Sequence, residues 1–598
     1  LAIGGFYGRL LRVDLSERSV RVEPIPDPIL LEYLGGKGLG SYLLLKNLEP
    51  GVEPFSAKNK VIFSVGPATG TPMLGSSRYG VYTKSPLTGG YAESCAGGRV
   101  GDAIKATGYD AVIIEGRCDK PTYVEISDEY VRFHDACHLW GLDTYGTEEA
   151  VLKSLRAKNA QAVVIGPAGE RLVRFASLVN NRWRSASRCG IGAVLGSKLV
   201  KAVVFHGSRK ANVPNEAELK LYVTRLINES KGSPAVESFR RYGTPMMVAL
   251  VNEAGAFPTK YWSRGRMEGW ELLSAEHMVK NYQVRARACP RCILACAKLT
   301  RVAQGPRKGL ELEGPEYETI YAFGGLCCIK NLDDVLYLND ICDRLGMDTI
   351  SAGNILGLVM EAAERGLPKA GGLPRYGDTD GAAHLLKNIA NREGIGDILA
   401  EGIVPVSRYF GLEDIAIHVK GLEPAGYDPR PLKGMALAYA TSTRGACHLR
   451  ATFYKAELGG LIPPEAIEGK AKLYVDFEDR LTILNTLIVC VFYRDLLQWS
   501  HLTELMSILT GINWSEEALR RVAGRIITLT RTFNLQQGIG EVDDRLPQRL
   551  FKEPLLDTGT GITREEFQYM LKEYYALRKW DDKSRLSNGN SEATPNLM

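Results

Sequence analysis

The chain has no lysine- and arginine-rich run, and its basic excess is small: 74 basic against 69 acidic residues, a formal charge of +5 over 598 residues. That balance does not suit a nucleic-acid binder. No apolar run reaches the length of a membrane span. The longest candidate, Leu481 to Tyr493, is interrupted by Thr482, Asn485 and Thr486 and reads as buried core. The opening residues, Leu1 to Arg9, lack the basic and apolar regions of a secretory leader. No Gly-x4-Gly-Lys-Ser/Thr loop occurs, which excludes a P-loop. Gly35-Gly-Lys-Gly-Leu-Gly40 lacks the spacing of a dinucleotide fingerprint. Twelve cysteines, mostly scattered, make no small-domain disulfide framework in a chain this long. The expectation is a cytoplasmic protein of several domains, with ordinary hydrophobic (45 %) and charged (24 %) fractions.

What is present is a cluster of thiols. Cys289, Cys292 and Cys296 stand at C-x2-C-x3-C spacing in Ala288-Cys-Pro-Arg-Cys-Ile-Leu-Ala-Cys-Ala-Lys298. On a helix these positions share one face, which predicts a helical segment aiming three thiolates at one point. A four-iron cluster takes four ligands, and close spacings of this kind supply most of them. A buried cysteine face and a structural zinc site are the competing readings. Zinc needs a second pair of ligands nearby, and none follows closely.

Residues 1 to about 209 read as strand-rich. Leu10–Val13 and Val20–Val22 give a hairpin signal. Val61–Val65, Tyr109–Glu115, Thr122–Ile126 and Ala162–Ile165 are further strand candidates. Glycines at Gly35–Gly40, Gly66–Gly70 and Gly97–Gly98 suit tight turns or close approach of backbone to a ligand. From about 210 onward the period becomes helical, at Glu216–Glu229, Leu332–Leu345, Ile350–Arg365, Thr503–Leu509, Glu516–Phe533 and Glu565–Trp580. Gly346 fits a helix C′ position, and Asp348 or Thr349 fits the next N-cap. The Ser/Asn-rich tail from Lys583 reads as disordered.

Several segments carry candidate chemistry. In Asp343-Arg-Leu-Gly-Met-Asp348, two acids flank a glycine turn; a carboxylate accepts two parallel N–H bonds from an amino-pyrimidinone edge. Cys490 sits in the apolar stretch Leu484–Cys490, while the triplet lacks a fourth ligand. Gly314-Pro-Glu-Tyr-Glu-Thr319 and Arg444-Gly-Ala-Cys-His448 offer acids and a histidine for proton transfer near neutral pH. Asn181–Gly192 and Ser76–Gly80 combine arginine with small residues, as phosphate sites do.

Taken together and in this order, the motifs resemble those of the tungsten-dependent aldehyde:ferredoxin oxidoreductase family. The match begins at Gly8-Arg-Leu-Leu-Arg-Val-Asp-Leu15 and takes in Gly66-Pro-Ala-Thr-Gly70, Arg99-Val-Gly101 and Gly190–Lys198. It continues through the cysteine triplet, Gly314–Thr319, Asp343–Asp348 and Arg444–His448 to Tyr574–Trp580. The resemblance implies an α+β architecture: a β-rich base domain (1–209) under two mainly helical domains (210–420 and 421–598), with the cofactor where all three meet. It implies tungsten or molybdenum held by two pterins, a [4Fe–4S] cluster, and magnesium bridging the pterin phosphates. Partners implied are ferredoxin, a small aldehyde and a second copy of the chain.

Residue by residue, the resemblance makes Cys289, Cys292, Cys296 and Cys490 the cluster ligands. Asp343 and Asp348, with Gly346 and Met347 between, match one pterin loop; Asn485 to Cys490, with Val489, matches the other. Arg78 matches an arginine between cluster and pterin. Cys95, Gly97, Arg184 and Ser185 fall in cofactor-binding segments. His448 matches a catalytic-pocket histidine, and Glu318 the pocket glutamate, with Glu316 the competitor. Three positions depart from the pattern: Asn485 replaces Asp, Ile488 replaces Gly, and Cys95 replaces a magnesium-binding Asn. The implied reaction is oxidation of an aldehyde with water to a carboxylic acid. The alternatives are a related tungstopterin or molybdopterin enzyme reducing a carboxylate or an aromatic ring within a larger complex, and a non-catalytic iron–sulfur protein.

Overall fold

The structure is a computed structural model and describes residues 3–580. The expectation for the tail from Lys583 falls outside these residues. Two six-stranded sheets form the N-terminal part. In spatial order the first runs Ser19–Pro24, Arg9–Asp14, Ala111–Glu115, Val61–Ser64, Tyr79–Lys84, Tyr91–Ala96. The second runs Arg184–Ala186, Leu178–Asn180, Gln161–Val164, Val200–Phe205, Thr122–Ile126, Val131–Asp135. The expected hairpin is present, with Arg9 opposite Pro24 and Asp14 opposite Ser19.

Strand alternation explains the layering. Leu10, Ile62 and Ile113 face a core shared with the helix Gly36–Asn47 and the C-terminal helices. Their neighbours Leu11, Val61, Phe63, Val112 and Ile114 face the other way. There they pack on Val124, Ile126, Val163, Val203 and Phe205 of the second sheet, so one apolar layer joins the two sheets.

Beyond residue 210 the chain is mainly helical, as expected, with one exception. Gln283–Arg287, Ala297–Arg301 and Glu311–Glu313 form a three-stranded antiparallel sheet. The cysteine triplet lies in the connection between its first two strands, not on a helix, which corrects the helical expectation. Positive φ at Arg291 (57°) and Ala295 (44°) winds the backbone there as no α-helix does.

Leu332–Leu345 and Thr349–Glu364 are helices joined by the glycine turn. Gly346 takes φ 74°, ψ 54°, and Asp348 caps the second helix by accepting from the Ile350 N–H at 3.1 Å. The base domain holds this turn by its backbone. Ser177 N–H donates to Gly346 C=O at 2.8 Å, and Asp348 N–H to Phe175 C=O at 3.1 Å. A Cβ on Gly166 would stand 2.4 Å from Leu345 O.

The second turn is held in the same manner. The helix Lys470–Leu487 ends at Ile488 in the left-handed region, φ 58°. A Cβ on Gly66 would meet Leu487 O at 2.2 Å, and one on Gly36 would meet Asn485 O at 2.4 Å. Cys490 N–H donates to Gly75 C=O at 3.0 Å. Gly36 and Gly66 therefore admit the backbone of the helical part, where the sequence suggested approach to a ligand.

Candidate active site

Between the two turns, the base domain and the C-terminal helices lies a cavity of about 360 Å³. Its wall includes Arg78, Cys95, Ser185, Glu316, Glu318, Asp343, Met347, Asp348, His448, Asn485 and Cys490, brought from all three parts of the chain. Gly346 and Val489 shape the turns from behind this wall; Val489 N–H donates to Leu484 C=O at 3.0 Å.

The two acids of the first turn are used differently. Asp348 is almost wholly buried and fully engaged. Beyond its cap, it accepts from Arg188 Nη1 at 2.7 Å and Ser351 Oγ at 3.0 Å. Asp343 accepts from Asn339 Nδ2 at 2.9 Å through one oxygen, and the residue lines the cavity. Burial, with Asp340 nearby, pushes its carboxyl well above the usual range. Asn485 donates through Nδ2 to Leu481 C=O at 2.9 Å, so its carbonyl oxygen is the group left for a ligand.

Beside the base domain the four cysteines lie near enough to act on one another electrostatically, Cys292 and Cys289 on Cys490, and Cys490 and Cys292 on Cys296. Gly98 N–H donates to Cys289 Sγ at 3.3 Å, and a Cβ on Gly97 would stand 3.0 Å from the same sulfur. Tyr493 OH lies 3.4 Å from Cys292 Sγ, and Arg78 Nη1 lies 3.9 Å from Cys490 Sγ. Burial opposes the charge on Arg78, but the sulfurs of Cys490, Cys95, Cys289 and Cys296 favour it. Cys289 also opens onto a surface cleft rimmed by Arg99 and Lys158.

Glu318 and His448 meet on the cavity wall. Glu318 Oε1 lies 3.4 Å from His448 Nε2, and Oε2 accepts from Gly426 N–H at 2.9 Å. Burial pushes the Glu318 carboxyl up to about 8. Burial, then Arg444, Arg188, Arg450 and Arg494, hold the His448 imidazole well below its ordinary value. At neutral pH the pair is thus a protonated acid against a neutral ring. Glu316 points elsewhere. It accepts from Thr244 Oγ1, and Arg184 and Lys298 act on it, on the Cys296 side. Arg184 itself pairs with Glu313, Nε to Oε2 3.0 Å.

A ligand bearing phosphate or ring acceptors fits the donors that remain. Trp183 Nε1, Arg444 Nε and Arg450 Nε are buried without a hydrogen-bond partner, and all three residues line the cavity. Among the described residues, no three His, Cys, Asp or Glu side chains are placed to hold a single ion.

Two family models match the chain. "Aldehyde ferredoxin oxidoreductase, N-terminal domain" covers residues 10–207, and "Aldehyde ferredoxin oxidoreductase, domains 2 & 3" covers 222–591. The chain belongs to the aldehyde ferredoxin oxidoreductase family. The tungsten-containing aldehyde ferredoxin oxidoreductase of Pyrococcus furiosus is 36 % identical over 593 residues, covering 97 % of each chain. That of Thermococcus kodakarensis is 35 % identical over 599 residues, covering 98 % of each. The aliphatic sulfonate oxidoreductase, WOR-like subunit, of Pyrococcus furiosus is 28 % identical over 615 residues, covering 96 % of this chain and 95 % of its own. Among solved structures, the active site complex BamBC of benzoyl coenzyme A reductase with 1,5-dienoyl-CoA aligns at a TM-score of 0.86. It has 25 % identity and covers 99 % of this chain and 97 % of that one. Family membership accounts for the β-rich base and helical cover, and makes the chain an oxidoreductase of this fold.

Sequence reasoning passed over several residues of this site. Arg188 ties the base domain to Asp348, yet it lay unremarked inside the Asn181–Gly192 segment. Glu93 binds Lys37 at 3.2 Å and also Arg450, while Arg444 Nη1 donates to its carbonyl at 2.6 Å. Burial would raise the Glu93 carboxyl; Arg450, Lys37 and Arg444 instead hold it down to about 2. Cys447 accepts from Arg444 Nη2 at 2.9 Å and from Leu449 N–H at 3.3 Å, fixing the backbone on both sides of His448.

Proposed function

We propose that the chain oxidises aldehydes to carboxylic acids, using a tungsten or molybdenum bis-pterin, and passes the electrons through a [4Fe–4S] cluster to ferredoxin. The balanced reaction is R–CHO + H₂O → R–COOH + 2 H⁺ + 2 e⁻. The observation that carries this reading is the Glu318–His448 contact, set in a cavity walled by Asp343, Asn485 and Arg78. Likeness over nearly the full length to tungsten-containing relatives supports the cofactor.

When bound, the metal centre would take two electrons from the substrate and the cluster would release them singly. The rest falls to the chain. Asp343 and the Asn485 carbonyl would accept from the two pterin edges. Arg444, Arg450 and Trp183 would donate to phosphate or ring acceptors. Magnesium on the phosphates would take oxygen ligands, such as backbone oxygen at Arg184–Ser185, rather than the Cys95 sulfur. Cys289, Cys292, Cys296 and Cys490 would hold the cluster, with Arg78 between cluster and pterin. Electrons would leave beside Cys289, the sulfur that opens onto the surface cleft.

Glu318, once ionised, accepts a proton from attacking water, and the His448 ring faces the substrate carbonyl. Glu316 serves the wall between Thr244 and Cys296. A homodimer in the cytoplasm belongs to the same reading; no helix among the described residues is long and apolar enough to cross a membrane.

The test is expression with tungstate and with molybdate, followed by metal, iron and pterin analysis. Aldehyde-dependent reduction of a viologen and of ferredoxin is then measured. Iron without either heavy metal would leave only an electron-transfer role. A second reading, reduction of an aromatic ring or carboxylate in a larger complex, draws on the likeness to the benzoyl coenzyme A reductase complex. Co-purifying subunits and turnover with a ring or acyl substrate, but none with aldehydes, would favour it.

A further inference from the structure

Past the Glu318–His448 pair the cavity wall carries a second group of side chains that the proposed reaction leaves unused. Tyr427 and Tyr454 stack with ring centroids 3.9 Å apart, and the Tyr427 ring lies 5.7 Å from the His448 ring. Beside them is Arg494, which also lines the cavity and is only 2 % exposed. Its Nη1 donates to Val491 C=O at 2.9 Å, one turn back in its own chain. Its Nε is buried with no hydrogen-bond partner.

The counter-charge at this point is incomplete. Among the described residues the one carboxylate within ion-pair distance of Arg494 is Asp495, with Oδ1 4.0 Å from Nε, and Asp495 is about half exposed. Its other oxygen is held by Lys455, also on the cavity wall. A third cation, Arg480, donates to Arg494 C=O at 3.3 Å and to Gln498, and makes no ion pair among the described residues. Arg494 and Lys455 thus share one half-exposed carboxylate, while Arg480 is offset by Asp476 as well as Asp495. A buried guanidinium without a full partner is costly, and proteins place one where an anion arrives. Arg494 also acts on the reacting end: it is among the charges felt by both His448 and Tyr454.

We propose that Arg494 receives an anionic group carried by the substrate, so that the preferred substrate is an aldehyde with a carboxylate or phosphate remote from its carbonyl. The proposal rests on the aldehyde-oxidising reading of the same cavity. A planar guanidinium matches both anions through paired N–H donors. The stacked tyrosines would flank the intervening carbons.

The experiment uses holoenzyme and three aldehydes: 4-oxobutanoate, glyceraldehyde 3-phosphate and uncharged butanal. In the wild type, kcat/KM for one of the two anionic aldehydes exceeds that for butanal by about 10- to 100-fold, the scale of one hydrogen bond to a charged group. The anion favoured names its class. Arg494→Gln lowers that ratio at least tenfold, chiefly through KM, and Arg494→Lys restores part of it. Calorimetry with succinate and with inorganic phosphate reads the subsite without turnover, and Arg494→Gln abolishes the binding seen in the wild type. An unchanged ratio in Arg494→Gln overturns the proposal, and so does loss of pterin and tungsten from that variant, because Arg494 would then hold the cofactor. If the wild type oxidises no aldehyde, the aldehyde reading fails. Binding of succinate or phosphate that depends on Arg494 would in that case still support the anion subsite, and its absence would end it.

Discussion

Glu318 Oε1 stands 3.4 Å from His448 Nε2, and the two groups reach this distance from segments that lie on opposite sides of the Asp343–Asp348 turn in sequence. Neither carries a charge at neutral pH, because burial acts in opposite directions on an acid and a base. The contact is therefore a place where one proton can be held, released or received.

Turnover is the first consequence. Glu318→Gln and His448→Ala are expected to keep full metal and iron and to lose about 10²–10⁴-fold in rate, the usual contribution of a placed acid or base. Glu316→Gln, whose side chain faces Thr244 and the Cys296 side, stays far closer to the wild type. A collapse in Glu316→Gln with a normal Glu318→Gln would reverse the two assignments. The assay is aldehyde-dependent viologen reduction per bound metal.

The pH profile follows from the same pair. Glu318 acts as a base only when ionised, and its carboxyl titrates at about 8. kcat/KM should rise with pH through that region and level off above it. A profile flat from pH 6 to 9 would remove Glu318 as the base.

Stability gives an independent measure of this group. The folded carboxyl is raised to about 8, above the ordinary carboxyl value near 4.5 that it has in the unfolded chain. The folded state thus holds the proton more tightly. The stability this lends is complete below about pH 4.5 and is lost as pH rises through 8. Glu318→Gln has no such loss. Its melting temperature should gain on the wild type as pH rises from 5 to 8, and a constant difference across that range would contradict the raised value.

The cofactor loops predict an order of effects. Asp343→Ala should lower pterin and metal content more than Asn485→Ala, because a carboxylate accepts stronger hydrogen bonds than an amide. Chemical analysis of purified variants decides it, and the reverse order would show that the second turn is the firmer hold.

The cluster assignment is tested by a pair of cysteines. Cys490→Ala should lose or distort the paramagnetic signal of the reduced cluster. Cys342→Ala should leave that signal intact, since Cys342 is a fully buried residue of the helix Leu332–Leu345, outside the segments that carry the four sulfurs. An unaltered spectrum in Cys490→Ala would send the search for the fourth ligand elsewhere.

Local pattern made much of this fold readable in the sequence. Leu332–Leu345, with Gly346 ending it and Asp348 starting the next helix, is written in adjacent residues, and the hairpin near the start is equally local. The cysteine triplet misled on conformation, because spacing that serves a helix face also serves a wound loop. Arg291 and Ala295 take positive φ, which a sequence of ordinary residues does not announce. The glycines at 36 and 66 were legible as needing space but not as to what fills it, since the filling backbone comes from more than four hundred residues away. Arg188–Asp348 and Lys37–Glu93–Arg450 were invisible for the same reason: each ion pair forms only after distant parts of the chain have met.

The cavity wall drawn from three parts of the chain has a further consequence for the molecule as an unbroken chain. A break in the connection near residue 210 would leave one fragment with Arg78 and Ser185 and another with Asp343, His448 and Cys490. Neither fragment would keep the whole cavity wall. The wall exists only where both fragments are present and joined in one fold.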